Sequence, residues 1–212
     1  QLVGIDPRIL TMDGLSYRHL FGDVISLPFD KSWGVLDIGE YHTTLTLFHN
    51  IEGSTQEPVR VELVRSMAKG LQHIRSGLKQ TFDFTDEEIN DWIFEYLDLT
   101  PSISDTDPRI LECVHRAMGP FLSELRRTIA SLQQRQSLSP QRLFVTGGGA
   151  HIKGVCSYLT TRTGIETALL EISSIKSNEE VKWPHHDHTY AKALSLALQS
   201  LNKTTYAKLN FR

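Results

Sequence analysis

The sequence predicts an α/β fold, and three stretches carry that prediction. Residues 33–64 read as short strands separated by turns. Residues 67–132 carry apolar stripes at helical spacing. Residues 142–159, "RLFVTGGGAHIKGVCSYL", pass from an apolar strand through three consecutive glycines into a helix-like pattern.

Composition sets the outer limits. The chain has 212 residues, enough for one large domain or two small ones, and its 40% hydrophobic and 22% charged content is that of a globular protein. A net charge of −3 and a single adjacent basic pair, Arg126-Arg127, argue against a nucleic-acid surface. Cys113 and Cys156 fall on apolar helix faces and are expected to be reduced core residues. Neither a signal peptide nor an apolar run of about twenty residues is present. The chain lacks an initiator Met and opens on "QLVGID", so it is expected to be a piece of a longer protein.

In chain order, residues 2–5 read as a short strand and 13–21 as a helix. Residues 33–38 are apolar and read as a buried strand. In 43–49, Thr44, Thr46 and Phe48 alternate with Leu45 and Leu47, which predicts a second strand. "HNIEGST" is a turn, and 59–64 completes a meander. Met67, Leu71, Ile74 and Leu78 then form one helical stripe. "TDEE", from Thr85 to Glu88, is a capping box ahead of Ile89, Trp92, Ile93 and Tyr96. Trp92, Phe94 and Tyr96 are expected to be core, with a surface that binds a partner as the alternative. Asp107-Pro108 opens the longest helix, with a stripe through Val114, Met118, Leu122 and Leu125, and Gly119-Pro120 should kink or divide it. After the glycines a helix is expected over 152–159, stopped by Gly164. "IETALLE" reads as the last strand and 189–202 as the last helix, with Tyr190, Ala193, Leu194, Ala197, Leu198 and Leu201 on one face. "WPHHDH" contains His185, His186, Asp187 and His188. Adjacent histidines in a loop rarely converge on one ion, so no metal site is expected there, and Asp187 or Thr189 reads as a helix cap.

Two stretches carry candidate chemistry. In "TGGGAHIKG", Gly147, Gly148 and Gly149 occupy a strand-to-helix turn. Glycines there permit positive φ and close approach, and a helix start offers free N–H groups to an anion. A dinucleotide fingerprint is excluded by Ile152, and a P-loop by Val155-Cys156. A tight turn without a ligand explains the same residues. In "GVLDIGEYHTT", a buried strand ends at Asp37-Ile38-Gly39 and the chain resumes at Thr43-Thr44, residue types suited to phosphates and a magnesium-bound water. A plain hairpin turn reads equally from these residues. No catalytic residue is assigned.

Taken together, strand–"DIGEYHTT"–strand, helical insertion, long helix, strand–"TGGGAHIKG"–helix and the small-residue helix "YAKALSLALQ" resemble the second half of the actin-like ATPase fold. The resemblance implies an actin-like, RNase H-like domain with a mixed sheet and an inserted, mostly helical subdomain. Residues 1–30 would end the first half. The second-half core would comprise 31–59 and 107–183, the insertion 60–106, and the returning helix and tail 184–212. "DIGEYHTT" looks like the second phosphate loop and "TGGGAHIKG" like the adenosine motif, which implies nucleotide contacts, vestigial or partial, at Asp37, Gly39, Thr43, Thr44, Gly147, Gly148 and Gly149.

Within that superfamily "GIDPRILTMDGLSYRHLF" and "FLSELRRTIASLQQR" resemble the type IV pilus PilM proteins and the type II secretion GspL cytoplasmic domains, and more distantly FtsA. The tail "KLNFR" is more similar to GspL. Three departures stand out: no first phosphate loop, Lys69-Gly70 where relatives carry Gly-Gly, and Ser195 where many carry Gly. The resemblance therefore implies a degenerate, scaffold-like member with no cofactor in this segment, and ATP with magnesium only in a longer protein. Its implied place is the cytoplasmic face of the bacterial inner membrane. Its implied partners are the amino-terminal domain of a GspE-like motor ATPase, other inner-membrane platform proteins and a second copy of itself. A PilM-type pilus assembly protein and an active actin-like ATPase are the alternatives.

Overall fold

The computed structural model describes residues 12, 14–21, 25, 31–51, 59–100, 106–136, 139–172 and 187–201. The expected strand at 2–5, most of the loop ahead of the last helix with His185 and His186, and the tail lie outside the described residues.

Five strands form one mixed sheet: β1 (Ser32–Ile38), β2 (Thr43–Asn50), β3 (Val59–Met67), β4 (Arg142–Thr146) and β5 (Glu166–Leu169). Their order is β3-β2-β1-β4-β5. Short turns make β1, β2 and β3 an antiparallel meander, whereas helical crossovers bring β4 and β5 in parallel to β1. The helices are α1 (Leu71–Phe82), α2 (Asp86–Asp91), α3 (Pro108–Gln136), α4 (Val155–Thr163) and α5 (Ala191–Leu201). A 3₁₀ helix spans Leu15–Leu20, and α2 runs into a π-helical turn at Trp92–Tyr96.

Because side chains alternate along a strand, the sheet offers two different faces. Leu36, Leu45, Leu47, Leu143 and Val145 point to one and are sealed beneath α1, α3 and α4 in a continuous apolar core. Trp33, Val35 and Phe48 point to the other, where Tyr17, Leu20, Phe21 and Ala191 cover them. Trp33 stacks on Phe48 at a centroid distance of 4.4 Å, and its indole N–H donates to Asn50 Oδ1 at 3.1 Å. A β-bulge between Leu47 and Phe48 re-phases β3, so that Val61 joins the second face and Leu63 the first.

Several sequence expectations need correction. Met67 ends β3 instead of opening a helix. β3 is an edge strand of the sheet, and α1 packs on α3 in the main core. The long helix α3 runs undivided through Pro120. That residue is exposed, so the carbonyl its ring leaves without an N–H partner faces water, while Met118, Phe121, Leu122 and Leu125 anchor both sides. In α5 the inward stripe is Ala191, Leu194, Ser195 and Leu198, whereas Tyr190, Ala193, Ala197 and Leu201 are exposed. Phe94 and Tyr96, expected in the core, are 39% and 59% exposed, with Ile89 and Ile93 buried in their place.

Candidate functional site

The ends of β1 and β4 lie side by side, Asp37 opposite Thr146, and this pairing brings the two candidate motifs into contact. Asp37 projects to the second face of the sheet and is almost wholly buried. Its Oδ2 accepts a hydrogen bond from the Tyr17 hydroxyl at 2.9 Å and an ion pair from Lys192 Nζ at 2.6 Å. A buried carboxylate needs such partners, since ionic groups lose their hydration on burial. Thr44, which pairs with Asp37 across β1 and β2, is buried beside it.

The glycines answer to packing within the chain. Gly147 has φ +82°, and a Cβ there would come within 2.4 Å of Asp37 Oδ1 and 2.7 Å of the Ile38 carbonyl oxygen. A Cβ at Gly149 would meet Ile38 Cγ2 at 2.4 Å. Gly148 is less constrained, 3.3 Å from Leu71 Cδ1. The turn after β4 is a 3₁₀ turn over Gly148–His151, and α4 starts only at Val155, behind the positive-φ Gly154. The expected juxtaposition of glycines and helix start is therefore absent: the N–H groups of α4 begin well past the glycines.

The loop after β1 is similarly self-contained. Gly39 N–H donates to the His42 carbonyl at 2.9 Å, closing the hairpin. The start of α1 lies directly on this hairpin. Leu71 N–H donates to the Gly39 carbonyl at 3.1 Å and Gln72 N–H to the Glu40 carbonyl at 2.8 Å, so helix-start donors already have backbone acceptors. Gly70 permits the approach, because a Cβ there would be 2.5 Å from both carbonyl oxygens. The Thr43 hydroxyl donates to the Lys69 carbonyl at 2.7 Å. Between Ile38, Leu71, Ile74, Met118, Phe121 and Gly149 remains an apolar cavity of about 20 Å³, room for roughly one water.

A strap after the π-helical turn, Asp98 to Thr100, binds the segment between the glycine turn and α4. Leu99 N–H donates to the Lys153 carbonyl at 2.8 Å, and Lys153 Nζ pairs with Asp98 at 2.7 Å. Gly154 packs against the strap so closely that a Cβ would lie 2.3 Å from Thr100 N. Burial pushes the Asp98 carboxyl up, but hydrogen bonds from Lys153 and Thr100 outweigh it and hold the group below the usual carboxylate range. On the other side His151 Nε2 and Thr189 Oγ1 lie 2.7 Å apart, and Thr146 donates to the His188 carbonyl.

Sequence reasoning singled out Asp37, which the structure sets against Thr44 and Gly147, with Gly39, Thr43, Gly148 and Gly149 in or beside the turns after β1 and β4. It missed Tyr17 and Lys192. Both come from helices that cross the second face, and their hydroxyl-bearing neighbours Ser16 and Ser195 touch at 2.9 Å. A lysine four residues before an apolar helix position gives no sign that it turns inward.

A metal-bound nucleotide, which the resemblance implies for a longer protein, does not fit the residues in this arrangement. The carboxylate oxygen that would face a cation carries Lys192 and Tyr17, the loop hydroxyl and helix donors are engaged, and the cavity is smaller than a purine. Among the described residues no cluster of three or more His, Cys, Asp or Glu is placed to hold a metal, and no helix is long and apolar enough to cross a membrane.

No protein-family model matches the sequence, and neither does any curated protein. Solved structures do match. A chain of a PilM–PilN type IV pilus biogenesis complex superposes with a TM-score of 0.59 at 20% identity, covering 81% of this chain and 46% of that one. A non-polymerisable ParM mutant gives 0.59 at 12% identity over 91% and 54%, and an archaeal actin homologue 0.52 at 16% over 91% and 55%. The chain thus spans about half the length of these structures. With its β3-β2-β1-β4-β5 sheet and helices on both faces, this chain has the fold of the actin-like ATPase superfamily.

Proposed function

We propose that the chain is the second lobe of an actin-like scaffold at the cytoplasmic face of the bacterial inner membrane. It recruits the amino-terminal domain of an assembly-motor ATPase and binds inner-membrane partners, and it does not itself turn over nucleotide. The observation that carries this reading is the filled region beside Gly149, where apolar side chains leave about 20 Å³. Both the type II secretion scaffold of the GspL kind and the pilus protein of the PilM kind suit it. Likeness to a chain of a PilM–PilN type IV pilus biogenesis complex supports the pilus branch.

Partner binding needs exposed apolar anchors more than charge, given a net charge of −3. Phe94 and Tyr96 supply them, on the segment between α2 and the strap. The test is a pull-down of the complete cytoplasmic region with the amino-terminal domain of the cognate motor ATPase, alongside an ATP hydrolysis assay. A complex weakened by F94A, with no hydrolysis above background, is expected. Robust hydrolysis with no complex would sink the scaffold reading and promote the active-ATPase one.

A further inference from the structure

Asp37 is the acidic residue that the phosphate-loop reading assigns to a metal-bound water, yet the chain supplies its own cation there. We propose that Lys192 is a built-in counter-cation that excludes a divalent metal from Asp37, and that Asp37, Lys192 and Tyr17 form a clamp between the sheet and its two flanking helices. The inference deepens the scaffold reading by explaining how a phosphate-type loop is kept as structure.

Three observations converge. Lys192 Nζ lies 2.6 Å from Asp37 Oδ2; the Asp37 side chain is only 6% exposed, while that of Lys192 is 39% exposed, so the carboxylate end of the pair is buried and the ammonium end is partly screened by water. The Tyr17 hydroxyl donates to that same oxygen at 2.9 Å, while the other oxygen faces Gly147, where even a Cβ would have only 2.4 Å. Magnesium-type ions keep an octahedral shell and give up water reluctantly; Oδ1 is closed off by Gly147 whatever stands at position 192, so Oδ2 is the oxygen left to an ion, and the ammonium occupies it. The clamp also has a mechanical logic. Lys192 opens α5 and Tyr17 lies in the Leu15–Leu20 helix, and these two elements touch again through Ser16 and Ser195. One buried carboxylate at the end of β1 therefore fixes two helices that are far apart in sequence.

Truncating one partner leaves the other buried charge uncompensated, whereas removing both does not. The experiment uses the complete chain and two readouts. Manganese titration followed by electron paramagnetic resonance should show no Asp37-dependent ion in the wild type up to millimolar metal. K192M should gain one manganese per chain, and the double variant D37N/K192M should lose it again. In thermal unfolding without metal, K192M should melt a few degrees below the wild type, since the ammonium end of the pair is partly exposed. K192R should keep most of the stability, and the double variant should melt above K192M. Wild-type manganese binding abolished by D37N overturns the proposal. So does a folded K192M that takes up no manganese, or a double variant no more stable than K192M. Should K192M fail to fold, recovery of a folded double variant supports the clamp and failure of that variant overturns it. Each outcome is read without partner or hydrolysis assays, so the scaffold reading stands or falls separately.

Discussion

The two faces of the sheet are built from the same strands and do different work. Beneath α1, α3 and α4 the inward residues are uniformly apolar: Leu36, Leu45, Leu47, Leu143, Val145. Beneath the Leu15–Leu20 helix and α5, one end of the sheet carries an aromatic cluster around Trp33 and Phe48, and the other carries polar groups: Asp37, Thr44, Thr46 and Thr146. The first face supplies cohesion without specificity. The second face carries a buried charge that only one arrangement of Lys192 and Tyr17 satisfies, so it fixes where the flanking helices sit. A one-residue register slip in β1 or β2 would exchange these two chemistries and is correspondingly unfavourable.

The largest expected effect comes from breaking the seam where the faces meet. Gly147→Val puts a branched side chain at φ +82°, against Asp37 and the Ile38 carbonyl. A loss of about 3 kcal/mol or more is expected in urea unfolding. A variant within about 0.5 kcal/mol of wild type would show that the glycine turn has another conformation available. Next comes Leu36→Ala on the apolar face, with an expected cost of about 3 kcal/mol by cavity formation. Its unfolding should leave the manganese behaviour of the wild type unchanged, since Leu36 points away from Asp37. Uptake of metal by this variant would mean that the two faces are not independent.

Thr46→Val sharpens the contrast in the opposite direction. The Thr46 hydroxyl is fully buried on the polar face and has no hydrogen-bond partner among the described residues. Exchanging it for a methyl removes an unsatisfied group, so stability should rise by up to about 1 kcal/mol. A loss of similar size would reveal an interaction of that hydroxyl essential to the second face.

How far the sequence discloses this arrangement differs between the faces too. The alternation Thr44-Leu45-Thr46-Leu47-Phe48 shows both the strand and its two-sidedness, because a period of two is local. The strand-to-turn pattern around Gly147 is local in the same sense, and the turn is where it reads. Lys192 and Tyr17 were not legible, since they reach Asp37 only through long-range packing of α5 and the Leu15–Leu20 helix. Pro120 misled for a related reason: a proline disrupts an isolated helix, but α3 is held on both sides by buried contacts that the local sequence does not reveal. The capping box at Thr85 and Glu88 was legible because both partners lie within one turn, with Thr85 N–H donating to the Glu88 carboxylate at 2.8 Å.

The smallest effect expected is a pH dependence where the strap meets Lys153. Asp98 joins the strap to the segment after the glycine turn, accepting from Lys153 Nζ at 2.7 Å and from Thr100 N–H at 2.8 Å. Its carboxyl is held below the usual range, so its folded pKa lies under the unfolded value of about 3.9. A depressed carboxyl contributes stability that is fully present above the unfolded pKa and is lost as pH falls through the folded one. Lys153 is largely exposed, which limits the contribution to below about 1 kcal/mol. Urea midpoints of wild type and D98N should therefore differ by a constant amount from pH 7 to about pH 5 and converge only below about pH 4. A difference that already shrinks near pH 6 would assign the strap's stability to a titrating group other than Asp98. The histidines around the turn, His151 and His188, would then be the next to replace, because they pack together at a ring separation of 4.8 Å on the opposite side of the same glycines.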